Sequence, residues 1–440
     1  MPGRTLRIAW LGALPSARES GGVPGVAAEL LDGLAALGHR IDCFSAATEH
    51  KLPARFSENQ NLTFTWGRTG WRWGRWYSRT KIAAFASGLF ARGIGAVRLR
   101  RELARRHRHE PYDVIYQFSN IETLSVASSV TRHTPLVIHP ETHAAGELRF
   151  LIAERRLSFR CQPRRVFMIA VAIMSLRTLV QRVRIRRARL LVCISSVFRE
   201  HLTHDYGFPQ ASTVVIPNPV RLERFTASDG PPGEPARVLV LGRVAVRKGI
   251  EDVVGVARTL LERDAGARVR VVGGPGLWSD YTKLLEELPG ENAEYLRRIA
   301  PAEIPGELAR TDVLLQASWY EPFALTVAEA LAAGVPVVAT SEVGAVEGVD
   351  GAVAIQVTPG DVAGLATAVT DMLERLRRDP AGIRSTARTE AERLFAPEVV
   401  CGKISAALIE LVDGAPPDEP LDASARELAD DVRPDSGELS

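Results

Sequence analysis

Two stretches of this chain combine residue types that could handle a phosphorylated sugar. The first is Glu321-Pro322-Phe323-Ala324-Leu325-Thr326-Val327-Ala328-Glu329-Ala330-Leu331. It follows an apolar strand pattern and opens a helix. The first N–H groups of a helix lack internal partners and carry partial positive charge, so a phosphate is stabilised there without any side chain. Glu321, just before the helix, can accept hydrogen bonds from sugar hydroxyls. Glu329 lies about one and a half turns inside, at about 1.5 Å per residue. That layout suits a ligand made of sugar, diphosphate and ribose. Glutamates also favour any helix's first turn and solvated face, and Glu329 alone reads that way. The second stretch, Gly242-Arg243-Val244-Ala245-Val246-Arg247-Lys248-Gly249, puts cations at the end of a strand, where they can neutralise a diphosphate.

Elements that could hold these residues follow from the apolar pattern. Residues 6–12, 41–44, 114–117, 136–139, 190–194 and 213–216 read as strands in the first half. Val26, Leu30, Leu34 and Leu37 form one helix stripe after a loop with Gly21 and Gly22. In the second half, strands at 237–241, 268–272, 312–316 and 336–340 alternate with helices at 250–263, 280–288 and 326–333. Two further helices are expected around 362–377 and 381–394. This alternation predicts an α/β chain with two doubly wound parallel-sheet domains facing across a cleft. The first would cover 1–218 and the second 219–399, with a last helix near 400–413 packing back onto the first. The tail 414–440 has eight acidic residues, two arginines, four prolines and no aromatics, the composition of a disordered segment.

The 440 residues are 46% hydrophobic and 24% charged, which excludes a fibrous or wholly disordered chain. Four scattered cysteines form no CxxC pair and fit a reducing compartment. The net charge of +3 hides an asymmetry: residues 1–220 carry 32 Lys/Arg against 15 Asp/Glu, and residues 221–440 carry 23 against 37. The positive charge concentrates in 67–110 and 151–190; at the start of the former, Trp66, Trp71, Trp73 and Trp76 alternate with Arg68, Arg72, Arg75 and Arg79. This mixture suits a surface helix with wet arginine heads, an anionic membrane interface or an anionic sugar acceptor; nucleic acid is not expected as a partner. The longest apolar run, 166–176, is shorter than the roughly 20 residues that span a bilayer. With no leader pattern at the N-terminus, the expectation is a cytoplasmic protein, peripheral to the inner membrane face at most.

In the order and spacing of its motifs the chain resembles the retaining glycosyltransferases of family 4, which have the two-Rossmann GT-B fold. The resemblance covers about residues 6–412. It rests on Gly242-Arg243, Lys248-Gly249, the Glu321/Glu329 pair, Val215-Ile216-Pro217-Asn218-Pro219 and the stretch from Ala333 to Thr340.

The resemblance implies a nucleoside diphosphate sugar as donor, and neither metal nor other cofactor. Arg243 and Lys248 would grip the diphosphate, helped by the backbone N–H groups of Phe323, Ala324 and Leu325. Glu321 would bind the donor sugar, Glu329 the ribose, and the segment Leu296 to Arg298 the base. Gly21 and Gly22 would lie under the phosphate. His139, or His143 four residues on, would face the anomeric centre. The acceptor would be a saccharide, a lipid-linked saccharide or a small metabolite. Two departures stand out: Ala324 occupies a position where the family commonly has glycine, and Val343-Gly344-Ala345 replaces a usual Gly-Gly pair. The run Val272-Gly273-Gly274-Pro275-Gly276 lacks dinucleotide spacing and is not read as an NAD site. A GT-B-fold sugar-nucleotide epimerase, or a basic membrane-surface protein with a degenerate sugar site, are the alternatives.

Overall fold

The computed structural model describes residues 4–414, apart from 17–21, 47–48, 68–80, 120, 122–127, 132, 228–229 and 276–279. Gly21, Trp71, Trp73, Trp76 and the acidic tail from 415 onward therefore lie outside the described residues.

The first sheet contains β1 (Arg7–Gly12), β2 (Arg40–Ser45), β3 (Leu62–Trp66), β4 (Val114–Ser119), β5 (Leu136–Pro140), β6 (Leu190–Cys193) and β7 (Thr213–Val215). Its helices are α1 (Val23–Ala36), α2 (Ala54–Ser57), α3 (Lys81–His109), α4 (Ser128–Thr131), α5 (Ala144–Ala153), α6 (Arg155–Cys161), α7 (Arg164–Ile185) and α8 (Ser196–Tyr206). The second sheet contains β8 (Ala236–Leu241), β9 (Ala267–Val272), β10 (Ala293–Tyr295), β11 (Val313–Gln316), β12 (Val337–Thr340) and β13 (Ala354–Val357). Its helices are α9 (Ile250–Glu262), α10 (Ile304–Leu308), α11 (Leu325–Ala332), α12 (Val362–Arg378) and α13 (Pro380–Phe395), followed by α14 (Pro397–Asp413).

Every strand pair in both sheets is parallel. The orders are β3-β2-β1-β4-β5-β6-β7 and β10-β9-β8-β11-β12-β13. Both reverse direction of winding at the strand that begins them, β1 against β4 and β8 against β11. Ligands bind beyond the carboxyl ends of strands at such switch points. The central strands β4, β5, β11 and β12 are buried along their whole length because helices cover both faces. Gly12, at the carboxyl end of β1, has φ 134°, and a Cβ there would lie 2.1 Å from the Phe118 carbonyl oxygen. Only glycine lets β1 and β4 meet at their tips.

Helix α14 crosses back to the first domain. Cys401 packs on Gly33 of α1, where an added Cβ would sit 2.5 Å from the sulfur. His39 Nε2 meets Ser405 Oγ at 2.7 Å, and Val400, Ile404 and Leu408 join the apolar cluster of Leu30 and Leu34.

Two differences from the sequence reading have physical causes. Residues 280–288 do not form an α-helix but a 3-10 turn over Thr282–Glu287. Its buried residues, Leu284 and Leu285, are adjacent rather than a turn apart, so the segment has no apolar stripe to bury. Second, α7 runs for 22 residues and is long and apolar enough, by length and composition, to cross a bilayer. The reading from the unbroken run 166–176 stopped at Arg177, but one arginine does not end a helix.

Candidate active site

The carboxyl edge of the second sheet gathers the chemically distinctive residues. Strand β8 is followed by Gly242, whose φ of 154° turns the chain into a loop closed by a 3-10 turn over Val246–Lys248. Gly249 follows with φ 64°, and a Cβ there would lie 1.8 Å from the Ala317 carbonyl oxygen. This close approach presses the basic turn against the segment that leaves β11, so Arg247 and Lys248 face Glu321.

Glu321 is buried between them. Arg247 Nη1 donates to Glu321 Oε2 at 2.8 Å and to the Tyr320 carbonyl oxygen at 3.0 Å. Lys248 Nζ pairs with the same carboxylate oxygen. Arg247 Nε also lies 3.3 Å from Glu147 Oε1 on α5, so this guanidinium bridges the two domains. Burial alone would push the Glu321 carboxyl up, but Arg247 and Lys248 outweigh it and hold it at about 2. Burial pushes the Lys248 ammonium down against the pull of Glu321, with Arg247 and Arg243 adding to the fall. Arg243 itself is exposed on the same loop. Of the two cations expected at the diphosphate, Lys248 thus touches Glu321 while Arg243 stands at the rim. Arg247, singled out only as one of the string's cations, makes the main ion pair.

Helix α11 starts at Leu325 with no side chain capping its N-terminus. The residue before it, Ala324, is buried and adopts φ 78°, ψ 80°, a left-handed conformation that costs an L-residue roughly 1–2 kcal/mol. That is the physical reason glycine suits this position. Phe323 is buried, and its carbonyl accepts from Ala345 N at 2.8 Å. Glu329 is half-buried on α11, and burial pushes its carboxyl up to about 7 against the opposing charge of Arg224. It lines an open pocket with Leu325, Arg224 and, from the first domain, Gly22, Gly25 and Val26. Gly22 has φ 74° and sits at the N-cap of α1. The cleft therefore brings Gly22, Leu325 and Glu329 together. Arg298 is exposed beyond β10, with its Cβ 3.6 Å from where a Gly274 Cβ would be.

The two histidines have different surroundings. His139 is fully buried at the end of β5, its Nδ1 2.6 Å from Tyr116 Oη. Burial pushes it down to about 3, so the ring is neutral. Asn218 lies beside the ring and pulls in the opposite direction, toward the charged form. Asn218 Nδ2 donates to Glu141 Oε2 at 2.7 Å, and burial pushes the Glu141 carboxyl up to about 7. His143 links the domains: its Nδ1 lies 2.8 Å from Tyr320 Oη and its Nε2 2.7 Å from Asp205 Oδ2. Burial pushes His143 down to about 3 even beside Asp205. A neutral ring donating from Nε2 to the carboxylate and accepting the tyrosine hydroxyl satisfies both contacts.

The loop after β12 docks on α8. Glu347 accepts from the backbone N–H groups of Ser196 and Val197 at 2.7 and 2.8 Å, capping that helix from the other domain. Gly344 lets the loop in, since a Cβ there would lie 2.4 Å from Ser195. Glu141, Glu147, Asn218, Tyr320 and Asp205 escaped assignment as site residues. Their partners lie many residues away, with Tyr320 and His143 177 apart, and no spacing pattern carries that.

Two family models match in succession. Residues 20–224 match glycosyltransferase family 4, and residues 235–375 match the glycosyl transferases group 1. A glycogen synthase of Mycobacterium tuberculosis is 30% identical over 216 residues, which is 48% of this chain and 50% of that protein. The chain thus spans about half the length of the curated relatives it matches. Among solved structures, sucrose-phosphate synthase from Thermosynechococcus elongatus superposes with a TM-score of 0.63 at 19% identity, covering 94% of this chain and all of the other. HepE of Anabaena in complex with UDP gives 0.60 at 19% identity, covering 92% and 100%. These structural likenesses show the fold, two Rossmann-like domains of the GT-B type. With both halves matched in order by the family models, this chain belongs to glycosyltransferase family 4.

Proposed function

We propose that this protein moves a hexose-type sugar from a nucleoside diphosphate to an acceptor hydroxyl with retention of configuration and without a metal. The observation that carries the reading is Glu321, held ionised against Lys248 beside the uncapped start of α11. When donor enters, Lys248 shifts from Glu321 to the diphosphate, joined by Arg243 and the N–H groups of Phe323, Ala324 and Leu325. The freed carboxylate of Glu321 then accepts hydrogen bonds from the sugar hydroxyls, and Arg247 keeps it in place. Glu329 and Gly22 hold the ribose and phosphate side of the donor, and Arg298 lies at the base.

The anomeric carbon–oxygen bond breaks toward the diphosphate, whose growing negative charge Lys248 and Arg243 stabilise. The acceptor oxygen bonds to the same face, and its proton passes to the leaving phosphate oxygen. Side-chain cations do the work that a divalent ion would otherwise do. His139 lies at the carboxyl end of β5 with Asn218 and Glu141 beside it, and in this reading it is the residue facing the anomeric centre. The donor supply places the reaction in the cytoplasm, with a saccharide, a lipid-linked saccharide or a small metabolite as acceptor.

The test is a screen of nucleoside diphosphate sugars with mass detection, followed by NMR of the product's anomeric configuration and a repeat in EDTA. Transfer with retention, undiminished by EDTA, is expected. An inverted product, loss of turnover in EDTA, or an altered nucleotide sugar formed from donor alone would each refute the reading, the last in favour of an epimerase.

A further inference from the structure

Helix α7 is inside out. Its buried face consists of Phe167, Ala170, Gln181 and Ile185. Gln181 Oε1 accepts from the Ala144 backbone N–H at 2.8 Å and from the Tyr206 hydroxyl. The outward face carries Met168, Leu176, Leu179 and Val183, which are 61%, 62%, 64% and 64% exposed, with Ala172 exposed between them. These five positions follow one another in steps of three and four, so they form one continuous stripe. Ile152 and Phe159, 45% and 43% exposed on the neighbouring α5 and α6, add to the exposed apolar surface. Proteins that work free in water rarely expose a contiguous apolar patch of this kind, and where they do it marks an interaction site.

The charges around the stripe are of one sign. From residue 155 to residue 199 the chain has twelve arginines and no carboxylate. By helical spacing, Arg164, Arg165, Arg182 and Arg186 project on the same side as the stripe, at its two ends. Arg165, Arg182 and Arg186 make no ion pair among the described residues. Arg164 lies over the Phe159 ring at 5.5 Å, keeping that end of the face together.

We propose that the outward face of α7 is a docking surface for an anionic lipid bilayer, on which the helix lies flat. The apolar stripe enters the boundary between headgroups and acyl chains, and the flanking arginines pair with lipid phosphates. A second copy of this chain fits poorly, because a two-fold pairing of α7 would set arginine against arginine. Spanning the bilayer is excluded by the inner face, whose Gln181 is tied to α5 and α8 and would be torn from both. Helix α5 carries Glu147, the partner of Arg247, so the docking surface lies one helix layer from the site. The inference goes beyond the proposed reaction and does not depend on it.

Vesicle flotation with the full chain tests it, using phosphatidylcholine alone and phosphatidylcholine mixed with phosphatidylglycerol. Wild type is expected to float with the anionic vesicles at low salt and to release as salt rises. The double change L176E/L179E should weaken binding about tenfold or more, and R182Q/R186Q by roughly fivefold per arginine. Both variants should keep the wild-type melting temperature, since the altered side chains face out. Absence of flotation with anionic vesicles overturns the proposal, as does equal flotation of wild type and a folded L176E/L179E. A wild-type dimer in light scattering without lipid, made monomeric by L176E/L179E, would assign the face to a second copy instead. Resistance of the bound protein to alkaline extraction would mean that α7 inserts, and would likewise overturn it.

Discussion

Arg247 offers the sharpest test of how the site is held. Replacing it with methionine keeps most of the aliphatic stem and removes three contacts: Glu321 at 2.8 Å, the Tyr320 carbonyl at 3.0 Å and Glu147 at 3.3 Å. Breaking a buried ion pair by deleting one partner costs about 3–5 kcal/mol. Lys248 still offsets Glu321, and Glu147 is partly open to water, so the low end applies, about 3 kcal/mol. In a domain of this size that is a fall of about 6–12 °C in melting temperature. The pH dependence gives a second handle. The Glu321 carboxyl lies below its ordinary value in the folded protein, so its contribution is present above pH 4.5 and is lost as pH falls toward 2. Without Arg247 the carboxyl rises and can take up a proton in the folded state. The deficit of R247M relative to wild type should therefore shrink between pH 7 and pH 4. Scanning fluorimetry of wild type, R247M and R247K across that range measures it. A melting temperature for R247M within about 2 °C of wild type at pH 7, or a deficit that grows toward acid, would refute this account.

Further outcomes follow from single residues. K248A should lower kcat by about a hundredfold or more with a smaller effect on donor KM, read from steady-state kinetics with the donor found in the screen. A324G relieves a left-handed alanine, and the gain less the added freedom of the unfolded chain is about 0.5–1 kcal/mol, visible as a higher melting temperature. The Glu329 carboxyl titrates near 7, so donor KM should rise as pH falls through that value, and E329Q should flatten the profile. G33A drives a methyl into Cys401 and should cost about 1–3 kcal/mol by prising α14 from α1.

What the sequence told and what it hid divides along the range of the interactions involved. Strands β1, β4, β5, β8, β11 and β12 each carry a short run of mostly apolar residues, because a central parallel strand is buried on both faces. The edge strands β3, β10 and β13 escaped: Leu62–Trp66 alternates with threonine, Ala293–Tyr295 has three residues, and Ala354–Val357 is only partly buried. The motif strings located the site, since the glycines that shape it and the cations it uses are neighbours in the chain. Which cation meets Glu321 was not legible. The 3-10 turn over Val246–Lys248 swings Arg247 inward and leaves Arg243 at the rim, and that choice depends on Gly249 resting on Ala317. The interdomain partners His143, Tyr320, Glu347 and Ser196 were beyond any local pattern.

The distribution of carboxylates, more than of arginines, separates the two uses of positive charge in this chain. An arginine can be buried only if a carboxylate or several carbonyls meet it there. Arg247 satisfies this with Glu321 and Glu147, and Arg384 with Asp312 at 3.0 Å. The stretch from 155 to 199 has no carboxylate of its own, and Arg160 reaches across to acids of the second domain, Glu251 and Glu287. Arg164, Arg165, Arg182 and Arg186 stay at the surface, and the apolar residues between them are carried outward on the same helix. A sequence run rich in arginine and empty of acid is thus a statement about orientation. It predicts that α7 turns Leu176 and Leu179 to the outside even though their hydrophobicity alone would place them in the core.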